Sequence, residues 1–81
     1  MSDAFVDVES GTFLLWTRTP WWNRPADFCT EDPKEAADFL IDNKVTSFMK
    51  SSSLDDPEDY GMDSETVCSF YEELQRRAAG K

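Results

Sequence analysis

The chain has 81 residues, seventeen of them Asp or Glu against eight Lys or Arg, no histidine, and a formal net charge of -9. This length holds one domain whose small core is only marginally stabilising by itself, and a composition 40% hydrophobic and 14% aromatic rules against a disordered acidic tail. Nucleic acid is a poor direct ligand for such a surface, because phosphates are held by cations; the lack of histidine also removes the commonest general base and a frequent metal ligand.

The first segment reads as a β-hairpin. Phe5-Val6-Asp7-Val8-Glu9 and Thr12-Phe13-Leu14-Leu15-Trp16-Thr17 are rich in β-branched and aromatic residues, with Ser10-Gly11 as a two-residue turn between them. That turn sets Val8 opposite Phe13 and Val6 opposite Leu15 on one apolar face. The other face then pairs Asp7 with Leu14, Phe5 with Trp16 and Asp3 with Arg18. The stretch from Thr19 to Phe28 is expected to be an extended aromatic loop, since Pro20 and Pro25 bracket Trp21-Trp22-Asn23-Arg24.

A helix follows. Asp32-Pro33-Lys34-Glu35 supplies an N-cap, a proline at the first helical position and a Glu three residues after the cap. Ala36, Ala37, Leu40 and Ile41 form its apolar stripe with Phe39 at the edge, and Asn43 is the stop. Val45 to Met49 is a candidate third strand. Residues 50–61 form a polar, turn-rich loop of the length that is usually functional or mobile. The last helix is expected to start at Asp63, with Met62 and Val67 as a hydrophobic staple. Its core stripe is Val67, Phe70, Tyr71, Leu74 and Ala78, its basic last turn carries Arg76 and Arg77, and Gly80 ends it. The predicted fold is therefore a single α+β domain, ββα(β)α, with two helices on one face of a small antiparallel sheet.

No basic start followed by an apolar stretch lies between Met1 and Gly11, so no secretory signal is expected. The longest apolar run, Phe13-Leu14-Leu15-Trp16, is far short of the roughly 20 residues of a membrane span. The expectation is a soluble cytoplasmic protein; Cys29 and Cys68 could pair, but in that compartment they read sooner as free, buried, small apolar residues.

The negative charge is concentrated. Residues 27–65 hold twelve of the acids against three lysines, whereas residues 1–26 and 66–81 are nearly balanced. Glu35, Asp38 and Asp42 fall at i, i+3 and i+7, a carboxylate row spanning about 10 Å on the outer face of the first helix. Asp55, Asp56, Glu58 and Asp59 crowd the long loop. A solvated face accounts for such runs in many proteins. Against that, acids so close together repel and weaken a small fold, and a surface of this kind speeds encounter with a basic partner.

Catalysis has little to build on. Carboxylate pairs need contrasting environments to separate their pKa values, and these acids lie on a polar face and in a polar loop. A calcium loop from Asp56 fails, with Tyr60 at position five and Val67 at position twelve. The glycines, at 11, 61 and 80, form no phosphate loop, and a cysteine nucleophile has no histidine to activate it. The expectation is a non-enzyme with no cofactor and no metal.

The reading is a binding protein whose partner is basic, such as a nucleic-acid-processing enzyme whose phosphate channel the carboxylates occupy. Its partner-binding candidates are Glu31, Asp32, Glu35, Asp38, Asp42, Asp55, Asp56, Glu58 and Asp59, with Trp22 and Arg24 from the aromatic loop, since Trp and Arg dominate binding energies at interfaces. Tyr60 and the tryptophans read equally well as core cover. In size and charge the chain resembles the small acidic inhibitors of phages and mobile elements, including anti-CRISPR and anti-restriction proteins; no motif carries individual residues across. Two alternatives stay open: an immunity protein or antitoxin against a basic nuclease or toxin, and a small regulatory module that binds through the Trp loop.

Overall fold

The computed structural model describes residues 4–17, 24–45 and 47–79. Its hairpin, β1 (Ala4–Glu9) and β2 (Thr12–Trp16), has the predicted register: Val6 pairs with Leu15, Val8 with Phe13, Phe5 with Trp16 and Asp7 with Leu14. Ser10 and Gly11 both have positive φ, 53° and 77°, the signature of the tight turn whose twist suits a two-residue hairpin. The expected pairing of Asp3 with Arg18 lies outside the described residues.

Two further strands enlarge the sheet. β3 (Phe28–Thr30) pairs antiparallel with β2, and β4 (Phe48–Lys50) pairs parallel with β1, giving the order β3-β2-β1-β4. The sheet is thus mixed, not antiparallel, and the third strand begins three residues later than Val45. The reason is topological: the chain returns to β1 after a helix, and such a crossover brings a strand back parallel. β3 has no signature in the sequence, because three residues following two prolines carry no measurable alternation.

Helix α1 (Pro33–Asp42) is capped at both ends as its sequence indicates. The Asp32 carboxylate accepts from the Lys34 N–H at 2.8 Å, and Asn43 closes the helix, its side-chain amide donating to the Phe39 carbonyl at 2.7 Å. The capping box differs in one respect. Glu35 accepts from the Thr30 hydroxyl (2.6 Å), and that oxygen in turn accepts the Asp32 N–H (3.1 Å), so a residue of β3 relays the reciprocal contact. Helix α2 (Ser64–Ala79) follows Asp63, whose carbonyl accepts from Thr66 and Val67. The residue expected to end it, Gly80, lies outside the described residues.

Val6, Val8, Phe13 and Leu15 on one sheet face meet Ala36, Ala37 and Leu40 of α1 and Val67 and Phe70 of α2. Phe70 is the hub, with ring centroids 4.9 Å from Phe13 and 6.0 Å from Phe48. Tyr71 and Leu74 are half-buried at the margin, while Ala78, expected in the core stripe, is exposed. Both cysteines are free, as expected, but exposed rather than buried. Cys29 sits opposite Leu14, on the sheet face away from the helices, and Cys68 follows Val67 around α2 toward solvent.

The long loop is built, not slack. It folds into two 3-10 turns, Ser52–Leu54 and Pro57–Tyr60, and buries Ser53, Leu54 and Pro57, with Met62 just beyond. It also finishes the edge of β1 where β4 stops. Ser51 N–H donates to the Val6 carbonyl (3.0 Å), and the Ser53 hydroxyl accepts the Val8 N–H (3.0 Å) while donating to Asp7 (2.6 Å). At the hairpin tip Gly11 N–H donates to the Tyr60 carbonyl at 2.9 Å. A backbone polar group left unpaired in such a place is costly, so these bonds explain why a polar dozen residues holds one conformation.

Candidate acidic interface

All nine acids singled out from the sequence are exposed, but they are not equivalent. On α1, Asp38 is ion-paired to Arg77 of α2, and Arg77 also reaches Glu73 (3.1 Å) and the Lys34 carbonyl (3.3 Å). This carboxylate works as a clamp between the helices. Glu35 is engaged by Thr30 and Asp32 by its own helix terminus. The predicted row is therefore interrupted: Asp38 is held by a base and Glu35 by a hydroxyl, while Asp42 and, ahead of the helix, Glu31 have neither an ion pair nor a side-chain hydrogen bond among the described residues.

The second group lies on the 3-10 turn. Asp55 pairs with Lys50 at 3.3 Å, a bond that raises the Lys50 pKa above its ordinary value. Asp56, Glu58 and Asp59 have no ion pair among the described residues; Glu58 accepts only a long bond from the Ser64 hydroxyl (3.5 Å). With Asp55, Pro57 and Ser64 they line a shallow concavity of about 160 Å³. Their backbone is fixed from beneath by buried Pro57, by left-handed Gly61 (φ 82°) and by the bond from Gly11 to Tyr60. Among the described residues no cluster of three acids has the arrangement of a metal site.

The two groups do not merge into one continuous row. α1 packs on β2, β3 and α2, whereas the 3-10 turns pack on β1, and α2 touches both. Periodicity could place Glu35, Asp38 and Asp42 on one face of a helix. It could not show that α2 sends an arginine across to one of them.

Compared with protein-family models, curated proteins and solved structures, the chain finds no match in any of the three. The functional reading therefore rests on the chain's own residues.

Of the aromatic-loop candidates, Trp22 lies outside the described residues. Arg24 belongs to a neck. Its guanidinium pairs with Asp27 at 2.5 Å, its carbonyl accepts the Trp16 indole N–H at 3.0 Å, and the other Asp27 oxygen takes both the N–H and the hydroxyl of Thr17 at 2.9 Å. These bonds to the charged form, the Thr17 backbone bond foremost, hold the Asp27 carboxyl below its usual range. Arg24 is thus occupied by Asp27 and Trp16. Tyr60, by contrast, is 43% exposed beside Asp59 with its backbone locked. Nothing in its local sequence distinguishes it from a core-covering tyrosine; the tie between hairpin tip and turn decides its position.

Proposed function

We propose that the protein acts by binding, without chemistry of its own, and that its target is a basic protein surface of the kind that otherwise holds nucleic-acid phosphates. In that reading it inhibits a nucleic-acid-processing enzyme by occupying the channel, as small phage and mobile-element inhibitors of CRISPR or restriction systems do. The observation that carries it is the turn Pro57–Tyr60 and its flank. Asp56, Glu58 and Asp59 are exposed, unneutralised by any described base, and mounted on a backbone that buried Pro57 and Leu54 fix. A surface prearranged in this way loses little ordering entropy on association, and its like charges steer a cationic partner. Glu31, Asp42 and the exposed Asp63 and Glu65 extend the field; Asp38 is excluded from the contact set because Arg77 holds it.

The test is a pull-down with the wild-type chain and with Asp56→Asn/Glu58→Gln/Asp59→Asn, eluted by a salt gradient and challenged with duplex DNA. The reading predicts a basic partner that salt and DNA release and that the triple variant fails to retain. Equal retention by both chains rejects it. A dedicated nuclease or toxin as the captured species would place the protein among immunity proteins or antitoxins with the same surface. The bonds joining Thr17, Arg24 and Asp27, which flank Trp22 in the sequence, favour one other reading, in which Trp22 is the contact and the acids only solubilise; salt-indifferent capture that Trp22→Ala abolishes would establish it.

A further inference from the structure

A second concavity, of about 520 Å³, opens between the C-terminal end of α1, the segment leading to β4, and the last turns of α2. Its lining is mostly apolar, Leu40, Ile41, Val45, Phe48, Leu74 and Ala78, with two polar residues, Lys44 and Gln75. On α1, Leu40 lies about 170° around the helix from the mean direction of positions 35, 38 and 42 at 100° per residue, so the wall it forms faces away from the acidic row, with Ile41 at the flank between the two. Size and lining are those of a site for a small molecule with an apolar body and one polar end.

Lys44 indicates which polar end. The Lys44 N–H donates to the Ile41 carbonyl (3.0 Å) and the Val45 N–H to the Leu40 carbonyl (2.9 Å), the paired bonds of a Schellman helix terminus. In that motif the left-handed position is normally glycine; here it is lysine at φ 60°. A side chain kept where its own backbone conformation disfavours it suggests that the side chain is used. Its ammonium is also conspicuous electrostatically. Arg24, Lys50, Arg76 and Arg77 each pair with a carboxylate, whereas Lys44 and Lys34 pair with none among the described residues, and of these two only Lys44 lines the groove.

From this charge complementarity we infer that the groove binds an apolar monocarboxylate, its hydrocarbon body against Leu40, Ile41, Phe48 and Leu74 and its carboxylate on Lys44. The same terminus that stops α1 places Lys44 in the lining, and the bonds to Ile41 and Leu40 fix its backbone relative to the groove wall.

The experiment titrates the full chain with decanoate, below its micelle-forming concentration, and with decanol as the neutral counterpart, following the methyl resonances of Leu40, Ile41, Val45 and Leu74. Saturable shifts confined to these methyls, with decanoate the tighter ligand, are expected. Lys44→Gly should weaken decanoate roughly three- to five-fold, the worth of one exposed ion pair, and leave decanol unchanged, while raising the melting temperature because glycine suits the left-handed position. A purely structural lysine would not separate the two ligands. Ala78→Phe, at an exposed position, should fill the groove and abolish both titrations. The inference is overturned if decanol binds as tightly as decanoate, if the shifts extend equally to Leu14 and Met49 on the other sheet face, or if sedimentation shows a dimer that Ala78→Phe dissolves, since a second copy would then be the occupant.

Discussion

Gly11→Ala tests the junction on which the acidic turn depends. Gly11 stands at φ 77°, and a Cβ added there lies 2.8 Å from the Gly61 carbonyl oxygen, closer than real Cβ contacts come. That oxygen belongs to backbone, so the turn itself must move. The left-handed conformation costs an alanine about 1–2 kcal/mol, and displacing the turn strains the bond from Gly11 N–H to Tyr60 (2.9 Å), worth about 1 kcal/mol. Together the loss is about 2–3 kcal/mol, against a total of about 4–12 kcal/mol for a chain of this length. In thermal unfolding followed by far-ultraviolet circular dichroism this corresponds to a fall of roughly 10–20 °C. Gly11→Asn separates the two causes, because asparagine tolerates positive φ but still carries a Cβ. If the contact dominates, asparagine is nearly as damaging as alanine. A Gly11→Ala variant within about 0.5 kcal/mol of wild type, the scatter of ordinary surface changes, would refute the argument that backbone-to-backbone packing at the hairpin tip positions the turn.

Four further outcomes are expected. Asp27 has a lowered pKa in the folded chain, so its stabilisation is complete above the ordinary carboxylate range, near pH 4, and is lost as pH falls through the lower folded value; Asp27→Asn should reduce the melting temperature at pH 7 and flatten its acid limb. The Tyr71 hydroxyl is buried without a hydrogen-bond partner among the described residues, and burial raises its pKa, so its contribution is full below the ordinary tyrosine value and disappears as pH rises through the folded one. Tyr71→Phe should leave stability equal or greater in urea titrations and remove that alkaline dependence. Ser53→Ala deletes both bonds of a side chain that is 1% exposed and should cost about 1–2 kcal/mol, read as a lower urea midpoint with unchanged slope. Finally, screening of the crowded acids by several hundred millimolar salt should raise the melting temperature, and Asp56→Asn/Glu58→Gln/Asp59→Asn should melt no lower than wild type; a lower melting temperature would mean these side chains serve the fold.

Much of the architecture was legible because it is local. The alternation of Val6 and Val8 against Phe13 and Leu15, with a two-residue turn, admits one register that keeps a face apolar. Asp32-Pro33 and Asn43 bound α1 because they satisfy the orphan groups of a helix within their own neighbourhood. The candidate site was only partly legible. Exposure of the nine acids followed from their type, but which of them are free to meet a partner depends on Arg77, Lys50 and Thr30, residues five to 39 positions away.

The sequence by itself determined two helices, a hairpin and an excess of negative charge in the middle of the chain, since each follows from spacing along a few successive residues. The tertiary structure alone decided that β4 runs parallel to β1, that a polar loop becomes a pair of anchored turns, and that α1 and those turns carry separate acidic groups. The physical reason is that these outcomes depend on unpaired backbone groups and charges finding partners across long separations. The edge of β1, the hairpin tip at Gly11 and the carboxylate of Asp38 are each completed by residues that no local pattern connects to them.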